Sequence, residues 1–289
     1  MKRLIVILGV AATATSAILV RYSTAPSLVL VMYRMLITVA LLAPSALLKN
    51  REELKSMQRK DWLLCAASGV FIGLHFVSYF EALKWTSIAA AVVLADTEVL
   101  FVAFATVLIF RKKLSGKAWI AIWLAFGGSI VIAAAQSTAG ADPLWGNLLG
   151  LISAVLMAVY TMIGSVCRKR VSTTVYTFVV YAVAGVTVTV IALVSGTQVA
   201  NLDAMNWAIC LGLAIFPTLL GHSVFSWGLK YLPPTFISTA KLLEPVLAAV
   251  MGWLLFRENP GWQVVVGGVI VVTGIALYGR VEAAEKEEN

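Results

Sequence analysis

Apolar residues run along this 289-residue chain in long stretches divided by short polar clusters. The stretches fall at about 4–20, 27–48, 62–83, 87–110, 118–135, 146–167, 173–194, 207–229, 235–256 and 262–279. At about 1.5 Å per helical residue, each can cross or nearly cross a hydrocarbon layer of about 30 Å. The dividing clusters, among them "KNREELKSMQRKD", "RKKLSGK", "QSTAGADP" and "KYLPP", collect the residues that end helices and face water. The pattern predicts an all-α polytopic membrane protein of ten transmembrane helices. The first run follows Lys2 and Arg3 and ends near "ATSA", features that a secretory signal peptide shares. It is read as an uncleaved first helix, because the repeat described next requires it.

A shift of 146 residues lays the fourth and fifth stretches on the ninth and tenth without a gap. It puts Lys84 on Lys230, Glu98 on Glu244, Phe110 on Phe256, Arg111 on Arg257 and Gly128 on Gly274. Apolar matches of this kind arise by chance, but Glu on Glu and Phe-Arg on Phe-Arg are harder to dismiss. The expected organisation is a first five-helix repeat over 1–136, a second over 145–280 and a short acidic tail over 281–289. Five spans is an odd number, so the two halves must be inverted relative to each other. Inverted repeats are a device of secondary transporters, which hold substrate near the midplane between the halves.

Composition narrows the picture further. With 61% hydrophobic and 12% charged residues, a soluble domain is excluded. The net charge of +8 would suit nucleic acid in a soluble protein, but here it lies in short loops, where topology accounts for it. Lys and Arg crowd the loops on one side of the predicted spans, leaving only Arg21, Lys84 and Arg257 on the other. By the positive-inside rule both termini are cytoplasmic. Cys65, Cys167 and Cys210 show neither metal-ligand nor disulfide spacing and read as small core residues. No Walker-type loop for ATP is present, and neither a metal nor a cofactor is called for.

Charges inside the spans carry the candidate chemistry, since each costs about 2.5–3.5 kcal/mol at a helix centre on insertion scales. The candidates are Arg34, Asp96, Glu98, Lys241 and Glu244. Lys241 and Glu244 are three residues apart, so they share a face and can pair. Pro245 lacks an N–H and crowds the Lys241 carbonyl, which predicts a helix break beside the two charges. Non-helical backbone at membrane depth is tolerated where it lines a cavity or is buried in protein. A cavity-lining helix and a buried pair pinning two helices both fit. Asp96 and Glu98 stand about 200° apart on an unbroken helix. Glu98, matched to Glu244, is therefore expected in the cavity, and Asp96 is expected to be structural, with a partner such as Arg34. His75 and His222 lie at nearly corresponding levels of the third and eighth spans, and either imidazole could carry a coupling proton. Tyr79 and Trp227 complete the candidate substrate-binding set. Gly127, Gly128, Gly267, Gly268 and Gly274 read as close-packing helix surfaces.

Several segments resemble the EamA-type exporters of the drug/metabolite transporter superfamily. They are "MYRML" (32–36), "EALKWTSIAAAVVL" (81–94), "GLKYLPPTFISTAKLLEPVLAAVMGWLLFREN" (228–259) and "GGVIVVTGI" (267–275). The resemblance covers essentially the whole chain. It implies ten helices in two inverted five-helix halves and export of amino acids or related small metabolites. Such proteins usually carry Pro in the fourth helix as well as the ninth. Here position 99 is Val, so the site is expected to be less symmetric than the fold.

These readings converge on a secondary exporter of small molecules working by alternating access. Its partners are a small-molecule substrate, the lipid bilayer and, as a coupling ion, protons. Mixed interior charge suits a zwitterion or an organic cation better than a large anion, so amino acids and amines are the expected cargo. A membrane-embedded enzyme would need a catalytic constellation, and the two histidines stand on different spans without one. A receptor or scaffold would need large loops or a soluble domain. Short loops and a compact chain point to a prokaryotic inner membrane.

Overall fold

The computed structural model describes residues 1–86, 88–135, 142–256 and 261–287, and all regular structure among them is helical. In lipid, every backbone N–H and C=O must find a partner within the protein, and a helix provides this within one segment. The first part of the chain gives α1 (Lys2–Arg21), α2 (Ser27–Pro44) with a π-helical extension (Ser45–Lys49), a short α3 (Arg51–Ser56), and α4 (Arg59–Trp85). Next come α5 (Ile88–Asp96), α6 (Glu98–Leu108) and α7 (Gly116–Ala135). The second part gives α8 (Pro143–Cys167), α9 (Thr173–Val194) and α10 (Ala204–Leu213). A π-helical stretch (Ala214–His222) joins α10 to α11 (Ser223–Gly228), followed by α12 (Pro234–Lys241), α13 (Glu244–Phe256) and α14 (Trp262–Glu287). The polar clusters supply the helix starts: Asp142, Ser172 and Asp203 each accept a hydrogen bond from a backbone N–H in the first turn of α8, α9 and α10.

Among the described residues, eight helices are long and apolar enough to cross a membrane. Two of the ten expected stretches differ. The fifth forms a shorter apolar helix over Gly116–Ile132, and the ninth divides into α12 and α13. The acidic stretch expected as a tail continues α14 as far as Glu287. Arg257, expected opposite the basic side, lies outside the described residues. Leu8, Ile120, Val186, Leu193 and Val269 are exposed on the outer surface, where an integral membrane protein meets lipid.

Two interruptions shape the interior. In the ninth stretch, helix stops at Leu242 and Leu243, just ahead of Pro245. This is where the missing N–H and the crowded Lys241 carbonyl require it. The fourth stretch is also interrupted, at Thr97, although position 99 is Val. The Thr97 backbone N–H is shared between the Val93 and Leu94 carbonyls at 3.2 Å each, and its hydroxyl donates to the Leu94 carbonyl at 2.5 Å. A hydroxyl bonding back to the chain competes with the helical ladder and can bend it. The two interruptions coincide under the 146-residue shift, since Thr97 falls on Leu243.

The packing is paired in the same way. α4 lies along α8, and α1 lies along the π-helical stretch that follows α10, so third meets sixth as eighth meets first. α2 packs on α9, and α7 packs along α14. In the last pair Ala125 faces Gly274, Gly128 faces Val271 and Ile132 faces Gly267, a sequence of contacts that only antiparallel helices make. A Cβ on Gly128 would sit 2.7 Å from the Gly267 carbonyl oxygen, and one on Gly274 would sit 2.5 Å from the Ala125 nitrogen. Gly128, Gly267 and Gly274 are thus close-packing residues, whereas Gly127 faces open space. The three cysteines are buried and free, with the Cys65 and Cys167 sulfurs 3.6 Å apart.

Polar contacts gather at the two ends of the bundle. At one end Arg3 pairs with Glu282 at 2.8 Å, Arg170 with Asp61 at 2.6 Å, and Lys2 lies 4.2 Å over the Tyr231 ring. At the other, Ser23 and Thr24 bond Asn206, and Thr86 bonds Asn147 at 2.8 Å. Lys2, Arg3 and Arg170 are thereby brought to one end, as the loop charges suggested. Gly128→Val should lower the apparent melting temperature in detergent through an overpacking cost of about 1–3 kcal/mol. Gly127→Val, one residue away but facing open space, should leave it nearly unchanged when the two are compared by the same thermal scan.

Candidate functional site

The two interruptions open onto one small cavity of about 40 Å³. Its wall is built from Thr13 and Ser16 of α1, Arg34 of α2, and His75, Phe76 and Tyr79 of α4. Val92, Ala95 and Asp96 of α5, Glu98 of α6, His222, Lys241 and Glu244 close it. All five interior charges singled out in the sequence therefore meet in one place, together with both histidines and Tyr79.

Their partners differ sharply. Lys241 ends α12 and forms an ion pair with Glu98 Oε2, while Thr161 of α8 donates to Glu98 Oε1 at 2.8 Å. Arg34 is 1% exposed. Its Nε donates to Thr218 Oγ1 at 2.6 Å, and its guanidinium carbon lies 3.9 Å over the Phe76 ring. Neither of its terminal nitrogens has a hydrogen-bond partner, and neither do Asp96 Oδ2 or His222 Nδ1. The His75 ring donates from Nδ1 to the Ser153 carbonyl at 2.9 Å and lies parallel to Tyr79 with centroids 6.1 Å apart. His222 meets Phe76 edge-on at 4.9 Å. Glu244 begins α13 beside Thr13 and in the field of Lys241 and Arg34.

This geometry corrects three expectations. Lys241 does not take Glu244 as its ion-pair partner. The chain turns out of helix between them, and the lysine reaches across to Glu98 instead. Asp96 and Glu98 are not divided between cavity and scaffold, because the interruption at Thr97 removes the 200° relation and both line the cavity. Of the two, Glu98 is fully engaged, whereas Asp96 keeps a bare oxygen and makes no bond to the Arg34 terminal nitrogens. Trp227 does not line the cavity. Its ring packs 5.0 Å from Tyr231, toward the basic end. Sequence reasoning missed Thr13 and Ser16, whose signal was three hydroxyls, "TATS", in the middle of an apolar run. It also missed Thr161 and Thr218, which hold Glu98 and Arg34 in place.

With Glu98 and Lys241 neutralising each other, Arg34 remains against Asp96 and Glu244. The cavity thus offers donors on one side and acceptors on another, all withdrawn from water. At about 40 Å³ it leaves little free space between these side chains as they stand.

A family model of EamA-like transporters matches residues 2–134 and again residues 144–280. The chain belongs to the EamA-like transporter family. Among relatives of this EamA-like protein, an uncharacterized transporter of Archaeoglobus fulgidus is 24% identical over 223 residues, 75% of this chain and 76% of its own. The uncharacterized transporter YxxF of Bacillus subtilis is 23% identical over 257 residues, 89% of this chain and 82% of its own. A solved crystal structure superposes with a TM-score of 0.80 over 100% of this chain and 99% of its own, at 19% identity, which speaks to the fold alone.

In the EamA-like fold the Glu98–Lys241 contact joins the two matched halves through buried charges. Removing one partner leaves an uncompensated ion, so Lys241→Met should destabilise by about 3–5 kcal/mol. The double variant Glu98→Gln/Lys241→Met should recover part of that loss. Unfolding in mixed micelles, analysed as a double-mutant cycle, checks both.

Proposed function

We propose that this protein is a secondary active transporter that exports small zwitterionic or cationic metabolites, with amino acids and amines as the expected cargo, by alternating access. The observation that carries the reading is the set of buried, unpartnered polar atoms on residues that line one small cavity. The two terminal nitrogens of Arg34 present donors to a carboxylate, and Asp96 Oδ2 presents an acceptor to an ammonium. A buried polar group without a partner costs about 1–3 kcal/mol, more when charged, so a ligand that supplies the missing bonds gains from each. Glu244 adds a second carboxylate on the acceptor side, and the aromatic rings of Phe76 and Tyr79 offer apolar surface.

The architecture in this reading is ten spans in two inverted five-helix repeats. Support comes from the family model matching twice, the antiparallel contact of α7 with its repeat counterpart α14, and interruptions at equivalent positions of the fourth and ninth stretches. Rocking of one half against the other would widen the cavity toward either face. The sorting of Lys and Arg supports cytoplasmic termini, and the prokaryotic relatives support an inner or plasma membrane. Protons are the proposed coupling ion, with the unpartnered Asp96 carboxylate joining Glu98 and His75 as the groups to test. A membrane-embedded enzyme is the lesser reading, since the family match and the names of the similar proteins point to transport.

Thermal-shift screening of the purified protein against amino acids, polyamines, quaternary amines and nucleobases tests the substrate class, because ligands of the folded state raise its melting temperature. Zwitterions or amines should give the hits, and Glu244→Gln should lose them. In proteoliposomes the same variant should lose substrate-driven flux while remaining folded and monodisperse. Unchanged transport by Glu244→Gln would overturn the assignment of the site.

A further inference from the structure

A second and larger chamber, about 240 Å³, opens at the basic end of the bundle between α6, α8 and the turn joining α11 to α12. Lys112, Lys169 and Lys230 line it from three separate loops, together with Thr106, Ser165 and Tyr231, and among the described residues no carboxylate lines it. The positive-inside rule explains why lysines lie at this end. It does not explain why three of them line one concavity. A low-dielectric cleft lined by one sign of charge focuses the field and concentrates ions of the opposite sign.

The chamber lies about two helical turns from the central cavity along α6 and α12. α12 begins at the chamber with Pro234 and ends at the cavity with Lys241. α6 begins at the cavity with Glu98 and passes the chamber at Thr106. On α8, Thr161 bonds Glu98 while the next residue, Met162, lines the chamber. The Thr161–Glu98–Lys241 contact thus stands at the cavity side of the partition between the two, which the buried cluster of Val102, Ala158 and Met162 continues.

We infer that the basic chamber is an antechamber that binds the anionic, carboxylate-type group of the cargo, with the Glu98–Lys241 pair at the cavity side of the partition between it and the central cavity. The inference rests on the transport reading for its purpose, but anion binding itself is an equilibrium property. It also divides the proposed cargo classes: a zwitterion is drawn in, whereas a purely cationic amine is repelled at the threshold.

The test places 3-fluorotyrosine at Tyr231 alone in the full-length protein, in phosphatidylcholine nanodiscs, and follows its fluorine resonance. Sodium benzoate and benzylamine hydrochloride are titrated at constant ionic strength. Benzoate should shift the resonance saturably and benzylamine should not. The triple variant Lys112→Gln/Lys169→Gln/Lys230→Gln should bind benzoate at least about tenfold more weakly. The Arg triple variant, which keeps the charge, should retain binding and guards against a folding artefact. An equal response to both probes, no response to benzoate, or binding that survives in the Gln variant would overturn the proposal. If discs containing phosphatidylglycerol shift the resonance and block benzoate, the anion is a lipid headgroup and the antechamber role falls. Benzoate binding without flux of any cargo would sink the transport reading and leave the chamber standing. Flux of a zwitterion without benzoate binding would do the reverse.

Discussion

The contact on which the interior depends is the ion pair between Glu98 and Lys241. Neither residue sits at a helix centre in the structural sense. Glu98 is the first residue after the interruption at Thr97, and Lys241 is the last before the interruption at Leu242. Broken helix and buried charge are the two things a hydrocarbon layer tolerates least, and each is tolerated only when enclosed by protein. Here they occur together, and each of the two charges is neutralised by the other. Thr161 supplies Glu98 with its remaining strong bond, so α8 is drawn to the same point. The long contacts of α7 with α14 and of α4 with α8 then form a frame around a junction that would not stand in lipid alone.

The two stretches related by the 146-residue shift are alike in where the backbone is interrupted and unlike in chemistry. Glu98 and Glu244 are equivalent under the shift and both begin a helix at an interruption, yet one is clamped by Lys241 and Thr161 and the other faces Thr13 and the cavity. The difference follows from what stands one turn before each: Lys241 precedes Glu244, but Ala95 occupies the matching place before Glu98. One lysine serves both interruptions, and it reaches the farther carboxylate. The causes of the two breaks also differ, proline in one and a threonine hydroxyl in the other. A single backbone geometry is thus reached by two kinds of local competition with the helical ladder.

Much of this was legible in the sequence. Long apolar runs, sorted loop charges and the 146-residue shift carry the helical membrane class, and interior charges name the cavity residues Arg34, Asp96, Glu98, Lys241 and Glu244. What could not be read was pairing. An argument from helical angle sent Asp96 away from the cavity, because it assumed an unbroken helix through Thr97. Spacing of three residues suggested Lys241 with Glu244, because nothing in a linear pattern tells how far the chain turns at Leu242 and Leu243. Thr13, Ser16, Thr161 and Thr218 went unnoticed for a different reason. A hydroxyl can satisfy itself on its own helix, so its presence in an apolar run predicts little until a neighbour shows which way it points. Trp227 illustrates the reverse error, since an aromatic ring near the end of a span can pack at the rim as readily as it can line a cavity.

The buried ion pair has a consequence for how such a protein can move. Parting Glu98 from Lys241 in an empty interior leaves two bare charges, a loss on the scale of several kcal/mol. In the alternating-access mechanism proposed above, this cost would hold the contact together while the interior is empty. Opening becomes accessible when something replaces each partner, an ammonium for Glu98 and an anion for Lys241. A ligand carrying both charges can do so at once, whereas one carrying a single charge leaves the other half of the pair uncovered. In the proposed mechanism selectivity and gating would then share one physical cause, because the contact between the two charges would be replaced best by cargo that resembles the pair it displaces.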